Sequence, residues 1–124
     1  MSFRLRRLRG DEREAAEGLH RAAAIDPAEP PFEDAEVWGA FDGGLMLGFI
    51  AFRVGWIDQL YVHPDHRRIG VGSALLTVAK ESWPGLKVLA RSGDAVSARF
   101  WENRGFLEDR AGQGTVRYRW SEDD

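Results

Sequence analysis

Residues 60–76 read Leu60-Tyr-Val-His-Pro-Asp-His-Arg-Arg-Ile-Gly-Val-Gly-Ser-Ala-Leu-Leu76, and this stretch decides the fold. It begins as an apolar strand, Pro64 ends that strand, and a helix follows after a loop that contains arginine and glycine. The first N–H groups of a helix have no partner inside it, and the helix dipole gives that end a partial positive charge. With Arg67 and Arg68 beside them, these groups predict an anion site of the kind that binds phosphate or pyrophosphate.

Two common phosphate-binding loops do not fit this segment. A Walker A loop ends in Gly-Lys-Ser/Thr, whereas Gly72 is followed directly by Ser73 with no lysine between them. A dinucleotide-binding loop needs a small residue three positions after its second glycine, where this chain has Leu75. The alternative to an anion site is an ordinary surface loop in front of a helix that starts with glycines.

The rest of the chain predicts strands and helices in the order β-α-β-β-β-α-β-α-β-β. Asp11 and Asp94 are predicted to cap the first and third helices, because a carboxylate accepts hydrogen bonds from first-turn amides. The strand–helix–strand unit from Trp56 to Ala90 is expected to be a parallel crossover. We therefore expect an α/β domain with a mixed sheet flanked by helices. The predicted strands are 3–8, 36–41, 45–53, 56–63, 86–90, 106–109 and 115–120, and the predicted helices are 12–24, 70–83 and 95–104.

The composition excludes several classes of protein. The chain has 124 residues, of which 44% are hydrophobic, which suits one domain over residues 1–124. No apolar run approaches the roughly 20 residues that span a bilayer, and a net charge of −3 gives no reason to expect nucleic acid as a partner. The chain has no cysteine, which excludes a thiol nucleophile and thiolate zinc sites, and no histidine–carboxylate spacing suggests a metal. We expect a cytoplasmic protein with no membrane partner.

Two motifs resemble those of the GNAT (Gcn5-related N-acetyltransferase) superfamily. Residues 67–72 fit its Arg/Gln-x-x-Gly-x-Gly/Ala motif, and residues 60–64 are similar to its fourth strand. Residues 94–106, DAVSARFWENRGF, resemble its Asn-x-x-Ala-x-x-Phe-Tyr-x-x-x-Gly-Phe segment. The predicted order of elements is also similar to that family over nearly the whole chain. The resemblance implies a mixed, mostly antiparallel central sheet of six to seven strands flanked by helices.

The resemblance also implies acetyl-CoA as the acyl donor. Backbone amides from Arg68 to Ser73 would hold the pyrophosphate, and the backbone of Leu60 and Val62 would pair with the pantetheine arm. The fourth and fifth strands would separate around the thioester, and a backbone N–H near Leu60 to Val62 would stabilise the tetrahedral oxyanion. The implied cofactor-binding residues are Leu60, Tyr61, Val62, Arg67, Arg68, Ile69, Gly70, Val71, Gly72, Ser73, Asp94, Ser97 and Trp101.

Three positions depart from the family pattern. Trp101 stands where the family often has a tyrosine that protonates the leaving thiolate, and an indole N–H only donates a hydrogen bond. Tyr61 and Tyr118 are alternative acids, and unassisted departure of the thiolate is another alternative. Asp94 replaces asparagine, either as a helix cap or as a cofactor contact, and the hydroxyl of Ser97 replaces an alanine methyl.

The general base has several candidates. Asp58 is the nearest carboxylate on the predicted fourth strand, whereas Glu33 and Glu36 would face the acceptor from the other side. His63 would act through water, and some members of the family use only a chain of waters. We take Asp58, Tyr61 and Trp101 as the candidate catalytic residues.

An acidic segment predicts the class of acceptor. Residues 22–52 contain six acids and neither lysine nor arginine, and four of the acids are taken as a rim of the acceptor pocket: Glu29, Glu33, Asp34 and Glu36. A negative rim attracts cations, so a small cationic amine is favoured. The alternative is a solvated acidic loop.

The predicted function is therefore N-acetylation of a primary amine, in a small molecule or a peptide, by direct attack in a ternary complex with acetyl-CoA. Two rival hypotheses are a non-catalytic regulatory module that binds acyl-CoA and an acetyltransferase that modifies proteins or peptides. A homodimer paired through strand 115–120 is a further hypothesis.

Overall fold

The computed structural model describes residues 2–23, 34–67 and 69–123, and within them the chain forms seven strands, three α-helices and one 3-10 turn at Pro64–His66. The strands are β1 Arg4–Arg7, β2 Glu36–Asp42, β3 Leu45–Arg53, β4 Trp56–Val62, β5 Gly85–Arg91, β6 Leu107–Ala111 and β7 Thr115–Ser121. The helices are α1 Gly10–Ala23, α2 Val71–Ser82 and α3 Ala95–Glu102.

All seven strands belong to one sheet in the order β1-β2-β3-β4-β5-β7-β6. Every neighbouring pair is antiparallel except β4 and β5, which are parallel and are joined through α2. The expected fold, a mixed and mostly antiparallel sheet flanked by helices, is therefore confirmed, as is the parallel pairing of the unit from Trp56 to Ala90.

Two clusters of buried side chains hold the helices on the sheet. The larger cluster packs α2 and α3 against one side of β2 to β5 and β7, with Ile50, Phe52 and Leu75 among its fully buried members. The smaller cluster joins Ala16 of α1 to Val37 and Phe49 on the other side. That second cluster draws its strand residues from β2, β3 and β4, so α1 covers the first half of the sheet.

The prediction that Asp11 caps α1 is wrong. The helix begins at Gly10, which places Asp11 inside the first turn. Glu12 provides the cap instead, because its Oε1 accepts the N–H of Arg9 at 2.9 Å, as the third residue of a capping box does. The same carboxylate accepts two hydrogen bonds from the Arg6 guanidinium of β1, at 2.7 and 2.8 Å, and thus ties the helix to the edge of the sheet.

Candidate active site

The start of α2 presents backbone amides. Its first hydrogen bond joins the N–H of Ala74 to the carbonyl of Gly70, so the N–H groups of Val71, Gly72 and Ser73 precede it and point out of the helix end. The side chain of Val71 is buried in the core, which leaves only its backbone for a ligand. This end of α2 therefore has the donors and the partial charge of an anion site.

The two glycines of this loop have different roles. Gly70 has φ of +88°, a left-handed conformation that favours glycine, and it forms the N-cap of α2. A Cβ on Gly72 would lie 3.2 Å from Cε1 of Phe100, so the missing side chain lets α2 approach α3. Gly70 therefore sets the turn into α2, and Gly72 serves the packing of the two helices.

Arg104 is a site residue that the sequence reasoning missed. Its Nε and Nη2 lie 3.0 and 2.8 Å from Oγ of Ser73, and its Nη1 donates to the carbonyl of Phe100 at 3.0 Å. The guanidinium also stacks 3.7 Å from the centre of the Phe100 ring, and burial lowers its pKa. A cation is thereby fixed beside the positive end of α2, where it strengthens the attraction for an anion.

The arginines and the isoleucine of the loop lie nearby. Nε of Arg67 is 3.4 Å from the carbonyl of Val62, and both the Arg67 and the Ile69 side chains are exposed. Arg68 lies outside the described residues. His63, a candidate for a water-mediated base, accepts the N–H of Asp65 on its Nδ1 at 3.1 Å and so caps the short turn that follows β4.

A cleft opens where β4 and β5 separate. The two strands pair only at Trp56 with Lys87 and at Ile57 with Val88. Beyond Ile57, a cleft of about 560 Å³ lies between β4 and β5. Its walls come from residues 57–60 of β4 on one side and from residues 88–91 on the other. The rest of the lining is formed by Arg53, Trp56, Asp94, Ser97 and Trp101. The separation of the fourth and fifth strands that the resemblance implied is thus present.

A β-bulge marks the point of separation. Ala51 pairs with Gln59 and the next residue, Phe52, pairs with Ile57, so Asp58 is the extra residue on β4. After the bulge, the β4 side chains face the side of the sheet opposite to the one that regular alternation from Ile57 would give. Leu60 and Val62 consequently pack on the same side as Ile57, against the α2 and α3 core.

Asp58 is held in this bulge by an ion pair. Its Oδ1 accepts a hydrogen bond from Nη2 of Arg53 at 2.8 Å, and its side chain is only 15% exposed. Both residues line the cleft. The candidate base is therefore at the cleft, and an arginine fixes its orientation.

The aromatic candidates have separate positions. Trp101 is buried and lines the cleft, with its ring 4.9 Å from Phe100 and 5.0 Å from Phe106. The ring of Tyr61 stacks on Phe49 at 5.6 Å, on the α1 side of the sheet. Tyr118 is buried in the other cluster, and burial raises the pKa of its phenol. Among the described residues that line the cleft, there is no tyrosine.

Asp94 caps α3 as predicted. Its Oδ1 accepts the N–H of Ser97 at 3.1 Å, and Oγ of Ser97 donates to its Oδ2 at 2.7 Å. These hydrogen bonds lower the pKa of the Asp94 carboxyl. Both side chains also line the cleft, so the cap and the cleft wall are the same pair of residues.

The predicted acidic rim is only partly described. Glu29 and Glu33 lie outside the described residues. Asp34 and Glu36 line a second cavity of about 350 Å³, which shares Arg53 with the cleft. The carboxylate of Glu36 accepts hydrogen bonds from Nε1 of Trp38, at 3.1 Å, and from the Arg7 guanidinium. Neither of the two described rim residues lines the cleft itself.

Residues 33–108, more than half of the chain, match the family model of the acetyltransferase (GNAT) domain. The chain belongs to the GNAT acetyltransferase family. It is therefore an acetyltransferase domain, as the two sequence motifs implied. No curated protein matches the chain in sequence.

Solved structures share this GNAT fold. Naa50 of Arabidopsis thaliana, in complex with the bisubstrate analogue CoA-Ac-MVNAL, superposes with a TM-score of 0.79 at 18% identity, over 98% of this chain and 99% of that one. The ribosomal-protein-S18-alanine N-acetyltransferase of Escherichia coli gives 0.74 at 19% identity, over 97% and 94%. The PaiA N-acetyltransferase of Thermoplasma acidophilum, in complex with coenzyme A, gives 0.75 at 16% identity, over 98% and 99%. These likenesses establish the fold.

The described part of this GNAT domain has neither a membrane-spanning helix nor a metal-binding cluster. No helix within the described ranges is both long enough and apolar enough to cross a membrane. Within the same ranges, histidine and carboxylate side chains form no group of three or more that could hold a metal ion.

Proposed function

We propose that this GNAT domain transfers an acetyl group from acetyl-CoA to a primary amine by direct attack in a ternary complex. The observation that carries the proposal is the cleft between β4 and β5, because β4 leads from the cleft wall at Leu60 to Val62, which packs against Gly72 at the start of α2. Acetyl-CoA supplies a thioester, an electrophile whose thiol is a good leaving group. The chain has no cysteine, so an acyl-enzyme on a thiol is not available.

The described residues fit the donor along its length. The amides of Val71, Gly72 and Ser73, with Arg104 and Arg67 beside them, bind the pyrophosphate. The pairing of β4 with β5 ends at Ile57, so we expect the backbone of Leu60 to Val62 to pair with the pantetheine amides. Trp101 and Val88 give this part of the cleft an apolar wall.

Asp58 takes up the proton of the amine in this proposal. An amine with a pKa near 10.4 is neutral in only about one molecule in 2,500 at pH 7, so the site offsets roughly 4–5 kcal/mol. Asp58 is the carboxylate of the β4 bulge, at the point where the strands part, and Arg53 fixes its orientation. It accepts the proton directly or through one water.

Trp101 and Tyr61 do not protonate the leaving group in this scheme. An indole N–H is only a donor, and the Tyr61 ring stacks on the far side of the sheet, so the thiolate departs unassisted. Tyr61 contributes its backbone alone. Asp94 and Ser97 hold the start of α3 at the cleft and contact the donor from there.

A non-catalytic acyl-CoA-binding module is the second candidate. The observation that favours it is Trp101, a buried indole at the position where the family often has a proton-donating tyrosine. The cytoplasmic location and the homodimer stay predictions from the sequence. Pairing of the homodimer through strand 115–120 is wrong, because β7 lies between β5 and β6 and has no open edge. The preference for a small cationic amine came from the acidic rim, whose two described members lie away from the cleft.

Titration calorimetry and thiol release test the proposal together. Acetyl-CoA and desulfo-CoA are each titrated into the full chain, and free thiol is then measured with pooled amines and peptides. Binding with amine-dependent thiol release supports the enzyme. Binding without release from any pool supports the regulatory module, and absence of binding contradicts both.

A further inference from the structure

Strands β5, β7 and β6 form the second half of the sheet. On one side of this half, no helix of the described residues packs against the strands. Side chains of β5 and β7 alternate, and Leu86, Val88, Tyr118 and Trp120 pack into the cluster under α2 and α3. Their neighbours in sequence point to the opposite side, where the described α1 cluster has no member from these strands. We call this surface the open face. Its members are Lys87, Leu89, Arg91, Leu107, Asp109, Arg110, Thr115, Arg117 and Arg119, and it continues across β4 and β3 through Trp56, Asp58 and Arg53.

Cations oppose each other on neighbouring strands of the open face. Lys87 of β5 pairs in register with Arg119 of β7, and Arg117 of β7 pairs with Arg110 of β6. Like charges directly opposite each other on antiparallel strands destabilise a sheet. Asp109 relieves part of this repulsion, because it lies 2.6 Å from Arg117 and 3.9 Å from Arg119, and a bound anion relieves more of it at Lys87 and Arg110.

The open face is basic although the chain is acidic. Its cations are Arg53, Lys87, Arg91, Arg110, Arg117 and Arg119, and its described acids are Asp58 and Asp109. Six cations minus two acids leaves an excess of four positive charges, against a net charge of −3 for the whole chain. Both acids are already paired with arginines, Asp58 with Arg53 at 2.8 Å and Asp109 with Arg117 at 2.6 Å. The surface is therefore complementary to negative charge.

The open face runs into the cleft. Arg53, Trp56, Leu89 and Arg91 belong to the open face and also line the cleft, whereas Trp101 lines it from the α3 side. The cleft thus joins the two sides of the sheet. On the proposed function, with the donor held on the α2 side, the acceptor reaches the thioester from the open face.

The dimensions indicate a polypeptide. Five strands spaced about 4.8 Å apart span about 19 Å from β3 to β6, which exceeds a small amine. Trp56, Leu89 and Leu107 lie between the cations, and Leu107 is 54% exposed. Aromatic residues and arginines around apolar contacts are typical of protein interfaces.

We propose that the open face binds an acidic polypeptide segment next to the amine that is acetylated. This inference rests on the proposed function for the amine and deepens it by naming the acceptor. It also replaces the cationic acceptor that the acidic rim had suggested.

Fluorescence anisotropy tests the surface without catalysis. A labelled ten-residue peptide with a free N-terminus and four Asp or Glu residues is titrated with the full chain in the presence of desulfo-CoA. Peptides of the same length with Asn and Gln, or with lysines, serve as comparisons. The acidic peptide is expected to bind about tenfold more tightly than its amide counterpart, and salt is expected to weaken it.

A double variant locates the binding. Lys87→Gln with Arg110→Gln removes one cation from each opposed pair and is expected to raise the Kd of the acidic peptide about three- to tenfold. Arg4→Gln with Arg99→Gln removes the same charge from exposed positions on β1 and α3, and should leave that Kd within about twofold. Urea unfolding of both variants separates lost binding from lost folding. Because the first variant removes repulsion, its unfolding midpoint should not fall.

The outcomes separate the two proposals. Equal affinity for acidic and amide peptides, tighter binding of the lysine peptide, or an equal loss in both double variants overturns the acidic acceptor. Amine-dependent thiol release without a preference for acidic peptides does the same and leaves the proposed function standing. Tight binding of the acidic peptide with no thiol release supports the surface and contradicts the proposed function.

Discussion

The two halves of the sheet are covered differently. Strands β2 to β4 lie between α2 on one side and α1 on the other, and Phe49 between them is fully buried. Strands β5 and β7 are covered on the α2 and α3 side, while their other side, together with that of β6, carries exposed and partly exposed cations. The first half therefore stabilises the fold, and the second half has one side available for binding. The cleft lies at the boundary between them, where β4 and β5 separate.

Truncating one apolar side chain in each half gives the largest contrast. Phe49→Ala is expected to lower the free energy of unfolding by about 3–5 kcal/mol, because it leaves a cavity beside Tyr61. Leu107→Ala on the open face is expected to cost less than about 0.5 kcal/mol. Urea unfolding followed by far-UV circular dichroism measures both, and similar losses in the two variants would contradict the division of the sheet.

Asp58→Asn tests the cleft, which lies at the boundary between the two halves of the sheet. If Asp58 takes the proton of the amine, kcat falls about 10²-fold or more, and the acid limb of its pH profile disappears. Asp109→Asn is the matched control, since it removes another arginine-bound carboxylate that does not line the cleft. Equal losses in the two variants, or a drop that Arg53→Gln reproduces in full, would assign Asp58 to structure alone.

Arg104→Met tests the α2 side. The change keeps an unbranched side chain beside Phe100 and removes the guanidinium next to Ser73, so the Kd of acetyl-CoA is expected to rise about tenfold. Arg99→Met, on an exposed position of the same helix, is the control, and calorimetry measures both. An unchanged Kd for Arg104→Met would show that the amides of α2 bind the donor without it.

The smallest expected effect is on the pH dependence of stability, and it comes from Glu12 of α1, whose carboxylate binds Arg6 of β1. The hydrogen bond from Arg6, then the one from the Arg9 amide, lowers the pKa of its carboxyl from about 4.5 to about 2. Between these values the unfolded chain binds more protons, so this contribution is complete above pH 4.5 and is lost as the pH falls towards 2.

Urea unfolding across this range of pH measures the effect. The Glu12→Gln variant should show a weaker loss of stability on acidification, whereas Glu14→Gln, at an exposed position of α1, should follow the wild type. Parallel curves for Glu12→Gln and the wild type would contradict the assignment to Glu12.

The sequence predicted the elements of the site better than their arrangement. Gly70, the amides after it and the cap at Asp94 follow from local patterns, since turns and helix starts depend on neighbouring residues. Arg104 could not be found in that way, because it lies in the turn after α3 and contacts Ser73 of α2, which is 31 positions away in the sequence.

The open face could not be predicted from the sequence for a similar reason. Arg110, Arg117 and Lys87 come from three strands, and only the register brings them to one side of the sheet. The bulge at Asp58 likewise depends on how β3 and β4 pair, which the strand pattern does not specify. The acidic segment before β2 was conspicuous in sequence, yet its described members line a neighbouring cavity.

Thiol release with the acidic peptide shows whether the cleft transfers an acetyl group to an amine beside the open face. The full chain is mixed with acetyl-CoA and either the acidic peptide or its amide counterpart, and the rate of thiol formation is measured against peptide concentration. We expect release that requires the free amine, with kcat/KM about tenfold higher for the acidic peptide. Absence of release above the rate without peptide, while acetyl-CoA still binds, would contradict acetyl transfer to an amine in this cleft.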